Sequence, residues 1–330
     1  MGGIGVSSVH VHDGRPRTGS RRLVHQGLIY DSDEQFLDAT VPFCLDGLEQ
    51  QDAVLAVTSP SNIGLLRQAL GGAAGQVEFV ASKDWYEAPG RTLAAYYHYV
   101  DQRTAAGPHR RVRVVGEPVW HGRDQVASAE WTRYEAAINV AFAACPAWIV
   151  CPYDSRLLPR QIVEDARRTH PQLVTGTTVE HSGHYADPAS SDGAWDREPA
   201  AAPGDGTAPA MSFDADLAAL RAFVRTAAAA LKVPPDVVQR LVSAANEVAT
   251  NAVRHGGGSG RVKLWRAGRR VVCEVADGGE ETGARWWLGY LPPDPAQPHG
   301  HGLWVVRQLC DLVEIHPGPS GTTVRLHLDL

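Results

Sequence analysis

The run Asn246-Glu247-Val-Ala-Thr-Asn251 sets a carboxylate and an amide four residues apart, which on a helix puts them on one face, a turn from each other. A carboxylate that can position a nucleophile, beside an amide oxygen that can bind Mg²⁺, is a pairing phosphoryl transfer requires. Taken alone, the pair reads more often as a solvated helix face. Three glycines, Gly256 to Gly258, then end the helix.

Three further groups follow in order. Glu274-Val-Ala-Asp277-Gly278-Gly279 closes a strand, where an aspartate can accept the hydrogen bond of an adenine amino group and glycine lets the base approach the backbone. Its plain reading is an Asp-Gly turn. Gly300-His301-Gly302-Leu303 opens a helix, and bare backbone N–H groups at a helix start attract phosphate. A lone Gly-x-Gly is weak by itself. Gly321-Thr322-Thr323 begins the last strand and offers a hydroxyl beside the aspartate, or a simple turn.

These groups need positioning elements, and the sequence supplies them. Amphipathic periodicity predicts helices over Asp214 to Leu231 and Asp236 to Arg254, then a hairpin of Arg261 to Arg266 and Arg270 to Ala276. A helix from Gly302 to Cys310 and strands near Leu312 to His316 and Thr322 to Leu328 complete a two-layer α+β sandwich, with helices on one face of a mostly antiparallel sheet.

In that order and on those elements, the four groups resemble the N, G1, G2 and G3 boxes of the GHKL superfamily of ATPases and kinases, whose ATP-binding domain is the Bergerat fold. The resemblance covers residues 211–330. It implies ATP and Mg²⁺ as cofactors, Glu247 as general base, Asn251 as Mg²⁺ ligand, and Asp277 with Gly279 as the adenine reader. It also implies Gly300, Gly302 and Leu303 at the phosphates, Thr322 beside the aspartate, and an ATP lid from Glu280 to His299. Where the family reads Asp-x-Gly-x-Gly, this chain has Glu281 for the second glycine, so the resemblance carries ATP binding more firmly than turnover. Arg285-Trp286-Trp287 in the lid could cover the nucleotide, meet a protein partner, or pack as buried aromatics.

No histidine lies between Met211 and Asn246, whereas histidine kinases carry their acceptor histidine on a helix ahead of the ATP domain. The arrangement is instead similar to the anti-sigma serine/threonine kinases of Gram-positive bacteria. That resemblance implies a sigma factor and a STAS-type antagonist protein as partners, the antagonist being phosphorylated on serine or threonine. A nucleotide-dependent switch that grips a sigma factor without transferring phosphate, and a phosphorelay component, are the alternatives.

The N-terminal half has a different texture. Short apolar runs at Gly27 to Tyr30, Ala53 to Thr58, Val77 to Ala81, Val112 to Val115 and Trp148 to Cys151 alternate with helix-length amphipathic segments. Those segments are Glu34 to Glu49, Ser61 to Leu70, Arg91 to Ala106, Ser128 to Ala144 and Arg160 to Thr169. This alternation predicts an α/β domain, a parallel sheet flanked by helices. Such sheets bind ligands beyond the carboxyl ends of their strands, but the loop from Thr58 to Gly64 holds no phosphate-loop pattern and no dinucleotide fingerprint follows the first strand. His25-Gln-Gly-Leu-Ile-Tyr30, Arg113-Val-Val-Gly116-Glu117-Pro118, and Cys151-Pro-Tyr-Asp154 before a helix ending in His170-Pro171 resemble the MEDS sensory domain. The resemblance implies a small-molecule sensor, with His25, Tyr30, Glu117 and Tyr153 as candidate ligand contacts or as ordinary local hydrogen-bonding groups.

Composition bounds the rest. A chain of 330 residues with 44% apolar residues can bury more than one core. A net charge of -6 gives no general attraction to nucleic acid or anionic membranes, and no segment has the roughly 18 apolar residues of a membrane span. Five scattered cysteines form no Cys-x-x-Cys pair, so neither a disulfide framework nor a zinc site is indicated by their spacing, and a reducing cytoplasm is expected. The expected organisation is a flexible tail over 1–22, a MEDS-like sensory domain over 23–174, a linker over 175–210 where Gly, Ala, Ser and Pro dominate, and the ATPase domain over 211–330.

Overall fold

The computed structural model describes residues 22–105, 109–190, 195, 199–203, 207–279, 285–290, 293 and 301–330. The chain order begins β1 (Val24–Tyr30), α1 (Asp33–Glu49), β2 (Ala53–Thr58), α2 (Pro60–Leu70), β3 (Glu78–Ala81) and α3 (Pro89–Thr104). It continues with β4 (Val112–Gly116), α4 (Gln125–Ala141), β5 (Ala147–Asp154), α5 (Arg160–Thr169), β6 (Gln172–Thr175) and β7 (Thr178–His181). Helix starts follow local chemistry: Ser32, Ser59 and Asp124 each cap a helix by accepting a backbone N–H, and Pro60 presets the first turn of α2.

These strands form one sheet in the order β3-β2-β4-β5-β1-β6-β7, parallel except for the antiparallel β6–β7 hairpin. The predicted α/β class is therefore what the chain adopts. Helices α1 and α2 cover one face, over Leu28, Tyr30, Phe36, Val54, Ala56 and Leu66. The opposite face packs against α3, α4 and α5, through Trp131, Tyr134, Cys151 and Tyr153. The register Ile29↔Tyr153 and Tyr30↔Asp154 fixes which side chains share a face.

The second half runs β8 (Ala210–Phe213), α6 (Leu217–Ala230), α7 (Pro235–His255), β9 (Gly260–Ala267), β10 (Arg270–Asp277), α8 (Gly302–Leu309), β11 (Leu312–Gly318) and β12 (Gly321–Asp329). Its antiparallel sheet has the order β11-β12-β10-β9-β8. Val271, Cys273, Val275, Val324, Leu326 and Leu328 point to one face, where α6, α7 and α8 close a core. This is the predicted two-layer sandwich.

Strands β6, β7 and β8 add to the sequence expectation. The stretch 175–210, expected from composition as a linker, holds β7, and its Trp195 is buried, donating its indole N–H to Ala186 O while Arg133 donates to Trp195 O at 2.9 Å.

The two halves touch over a broad front. Arg91 at the start of α3 donates to Asp311 at 2.8 Å, and Gln308 donates to Gly90 O at 3.2 Å. A Cβ on Gly90 would lie 2.5 Å from Arg307 O, so only glycine lets α3 and α8 come this close. On the far face of the second sheet, Glu314, His316, Arg325 and His327 are buried, and α4 packs against β11. Burial opposes the Glu314 charge, yet bonds with His316 and His327 hold its pKa well below the usual carboxylate range. Among the described residues, no helix is long and apolar enough to cross a membrane.

Candidate functional site

Glu247 and Asn251 both lie on α7, half-buried, one turn apart as their spacing requires. The start of α8 comes to meet them. A Cβ on Gly302 would stand 3.1 Å from Glu247 Oε2 and 3.8 Å from Asn251 Nδ2, so a residue other than glycine would fill the space between the helix start and the carboxylate. The N-cap residue His301 makes no side-chain cap hydrogen bond to α8, and a helix start without such a cap favours an anion.

Asp277 ends β10, and three glycines crowd around it. Its Oδ1 accepts from Thr322 N at 3.0 Å and from Gly279 N at 3.3 Å. A Cβ on Gly256 would collide with the Asp277 carboxyl carbon, one on Gly321 would collide with Asp277 O, and one on Gly279 would lie 2.6 Å from Gly256 C. The glycine run after α7, read from sequence as a helix end, therefore also makes room for this aspartate. Thr322 does sit beside Asp277, but its main-chain N–H makes the contact. Leu303 lies in the first turn of α8 and packs on the helix-side core.

A Gly256→Ala substitution isolates that crowding, because Gly256 has φ -105, which alanine tolerates. Steric displacement of Asp277 is expected to cost about 1–3 kcal/mol of stability and to weaken ATP binding. Urea unfolding and an ATP titration check this; a variant matching the parent in both would show that the loop shifts freely.

Gly300, Glu281 and most of the expected lid lie outside the described residues. Residues 285–290 are described, and they pack against α8: a Cβ on Gly289 would lie 2.5 Å from Leu303 O in its first turn. Trp286 and Tyr290 are buried in the core formed by α3 and α4, with Trp286 6.0 Å from Trp195 and 5.5 Å from Trp287 between ring centroids. Of the three roles open to Arg285-Trp286-Trp287, buried aromatic packing is the one that Trp286 takes. Arg307 of α8 secures the segment: it donates to Trp286 O at 2.7 Å, Leu288 O at 2.8 Å and Val313 O at 3.2 Å, and lies 3.7 Å over the Tyr290 ring. Sequence periodicity had no signal for this, since a basic residue in a last helical turn normally faces solvent.

The four candidate sensory residues fall into two groups on opposite faces of the first sheet. Tyr30 OH accepts from Asn62 Nδ2 at 3.2 Å, and Asn62 Nδ2 also donates to Glu117 Oε2 at 3.0 Å. That carboxylate further accepts from Ser59 N at 2.9 Å and from the Thr58 hydroxyl. Burial and the Glu117 charge push the Tyr30 hydroxyl above its ordinary pKa, so it stays neutral. On the other face, Tyr153 packs 5.6 Å from His170, and His25, at the start of β1, lies 4.2 Å from His170, both measured between ring centroids. Burial and neighbouring His170 hold the His25 pKa down at about 4. Side-chain alternation explains the split: Tyr30 and Tyr153 are one step out of register across the β1–β5 pair. Sequence reasoning missed Asn62 and Glu135 in these groups because they lie on helices rather than at strand ends, and it missed the donor role of Cys151, which reads as the last apolar residue of its run.

A family model of the MEthanogen/methylotroph, DcmR Sensory domain (MEDS) matches residues 24–171, and one of the histidine kinase-like ATPase domain matches residues 212–328. Among solved structures, the chain is similar to the RsbU and RsbW domains of Rv1364c from Mycobacterium tuberculosis, at 24% identity with a TM-score of 0.28. That similarity covers 37% of this chain and 32% of that one, so the chain spans about a third of its length. No curated protein matches the chain.

Proposed function

We propose that this chain, which joins a MEDS sensory domain to a histidine kinase-like ATPase domain, is a sensor-coupled anti-sigma regulator that binds Mg-ATP and phosphorylates a protein antagonist on serine or threonine. The observation that carries the reading is the meeting of Glu247 and Asn251 with the open start of α8 at Gly302. The absence of histidine between Met211 and Asn246 favours an acceptor hydroxyl on a partner chain.

In this reading the adenine amino group donates to Asp277, whose carboxylate is held in place by the Thr322 and Gly279 N–H groups. The glycine-lined start of α8 receives the phosphates, and the Asn251 amide oxygen is the ligand for Mg²⁺. When bound, Mg²⁺ neutralises charge on the phosphates. Glu247, beside that helix start, accepts the proton of the attacking hydroxyl. The small-molecule ligand of the sensory half would set this activity from the Tyr30–Asn62–Glu117 group or from the group around His25 and Tyr153, and a sigma factor and its STAS-type antagonist are the expected partners.

The test is to incubate the protein with γ-labelled ATP, Mg²⁺ and candidate antagonist proteins. Label on a partner serine or threonine is the expected result. Tight ATP binding with no transfer to any of them would sink the kinase and leave a nucleotide-dependent sigma-factor switch. Acid-labile label would place the chain in a phosphorelay. Asp277→Ala is expected to weaken ATP binding by about 10- to 100-fold, the loss of a hydrogen bond to a charged group, and to erase any preference for ATP over GTP. Unchanged calorimetric affinity would remove Asp277 from the adenine site.

A further inference from the structure

Beneath the first sheet, on the α4 and α5 side, four donors of metal-ligand type converge in a fully enclosed spot. His25 comes from β1, Glu135 from α4, Cys151 from β5 and His170 from the end of α5, and one donor atom of each lies within 4.8 Å of all the others. All four residues are buried, none more than 3% exposed.

Around Glu135 the spacing is longer than that of an ordinary N–H···O hydrogen bond. Glu135 Oε2 stands 3.4 Å from His170 Nε2 and 3.6 Å from His25 Nε2, and Cys151 Sγ stands 3.5 Å from His25 Nε2. Neither Glu135 Oε2 nor His170 Nε2 has a hydrogen-bond partner. Two buried polar atoms without hydrogen bonds are costly unless something binds both. A tetrahedral ion with bonds of about 2.0–2.3 Å to nitrogen, oxygen and sulfur spaces its ligands about 3.3–3.6 Å apart, the spacing of the Glu135–His170, Glu135–His25 and Cys151–His25 pairs.

The surroundings fix both imidazoles in the required form. His170 Nδ1 lies 2.8 Å from Ala166 O, an acceptor only, so Nδ1 carries a proton and Nε2 is the nitrogen that a neutral ring offers to an ion. His25 Nδ1 lies 3.0 Å from Asn139 Oδ1, and the Asn139 amide is oriented by its own donation to Ala136 O and Thr169 O. His25 Nε2 is therefore the nitrogen that its neutral ring turns toward the other three donors. Ligating histidines characteristically have the second nitrogen tied in this way. Stacking of His170 on the sheet needs Gly27, where a Cβ would lie 3.1 Å from His170 Cγ.

We propose that these four side chains form a closed site for a divalent ion of the zinc class. Thiolate, carboxylate and two neutral imidazoles balance a dication, and the mixed nitrogen, sulfur and oxygen set suits tetrahedral Zn²⁺. All four positions are filled by protein, so the ion braces structure rather than activating water. Glu135 is the sole donor from α4, the helix that also bears Arg133 against Trp195 and Trp286 and packs on β11. The ion thus ties the sensory sheet to the helix that meets the ATPase half. The proposal is independent of the nucleotide reading.

Elemental analysis of the full chain, purified without chelator, is expected to give one zinc per chain, and Co²⁺ exchange is expected to give a thiolate charge-transfer band with tetrahedral d–d absorption. Cys151→Ser and His170→Gln should each abolish the band, while Cys145→Ser keeps it. Asn139→Ala, which leaves all four donors in place, should lower metal affinity about 10- to 100-fold. A metal-free protein that takes up neither Zn²⁺ nor Co²⁺, or a wild-type Co²⁺ spectrum that persists in Cys151→Ser, overturns the proposal.

Discussion

Replacing Glu247 with Gln is expected to slow transfer of the ATP γ-phosphate to a protein acceptor by about 10²–10⁴-fold, the contribution of a positioned proton acceptor, while ATP affinity stays within a few-fold. Glutamine keeps the size of the side chain that borders Gly302 and its position on α7, so the helix packing is undisturbed. It cannot take the proton. Initial rates of transfer and calorimetric ATP binding, measured on the same preparation, separate the outcomes. Unchanged transfer would exclude Glu247 as the base. Transfer and binding lost together would make it a binding residue instead.

Replacing Arg307 with Met is expected to destabilise the protein by about 3–5 kcal/mol, the range for removing one member of a buried polar set. Arg307 is 2% exposed and donates to three carbonyls, Trp286 O, Leu288 O and Val313 O, which lose this donor in the variant. Methionine fills most of the volume and supplies no donor. Lysine should rescue little, because an ammonium is a point donor and cannot span carbonyls that a planar fork meets from three nitrogens. Denaturant unfolding followed by tryptophan emission reads both the stability and the surroundings of Trp286. A loss below about 1 kcal/mol would mean that the segment is held by its aromatic packing alone.

How much of this was legible depended on whether the signal was local. Ala53–Thr58 is buried at every position, so an unbroken apolar run marked a central strand and its bounds. Glu247 and Asn251 could be paired because one helix carries both. Strands Gln172–Thr175 and Thr178–His181 escaped notice since they are short and mostly not buried, and polar edge strands lack the alternation that betrays a covered face. Asp277 was placed correctly at a strand end, but the part of Thr322 belongs to its backbone, which a side-chain pattern cannot display. The quartet around Glu135 was invisible for a stronger reason. Its members are contributed by two strands and two helices, and only the parallel pairing of β1 with β5 brings His25 near Cys151. No spacing rule for zinc ligands applies to donors scattered in this way.

The burial of Trp286 and Tyr290 among α3 and α4 has a consequence for how the chain comes apart. A fragment cut in the proline- and alanine-rich stretch at 199–203 would carry these aromatics without the helices that enclose them, and would leave the Gly90 end of α3 bare. Each piece would show the other's contact surface to water, an invitation to self-association. The two halves are thus separate in sequence pattern but joined in melting: heat or denaturant should meet one cooperative unit, and damage to either core should be felt in both.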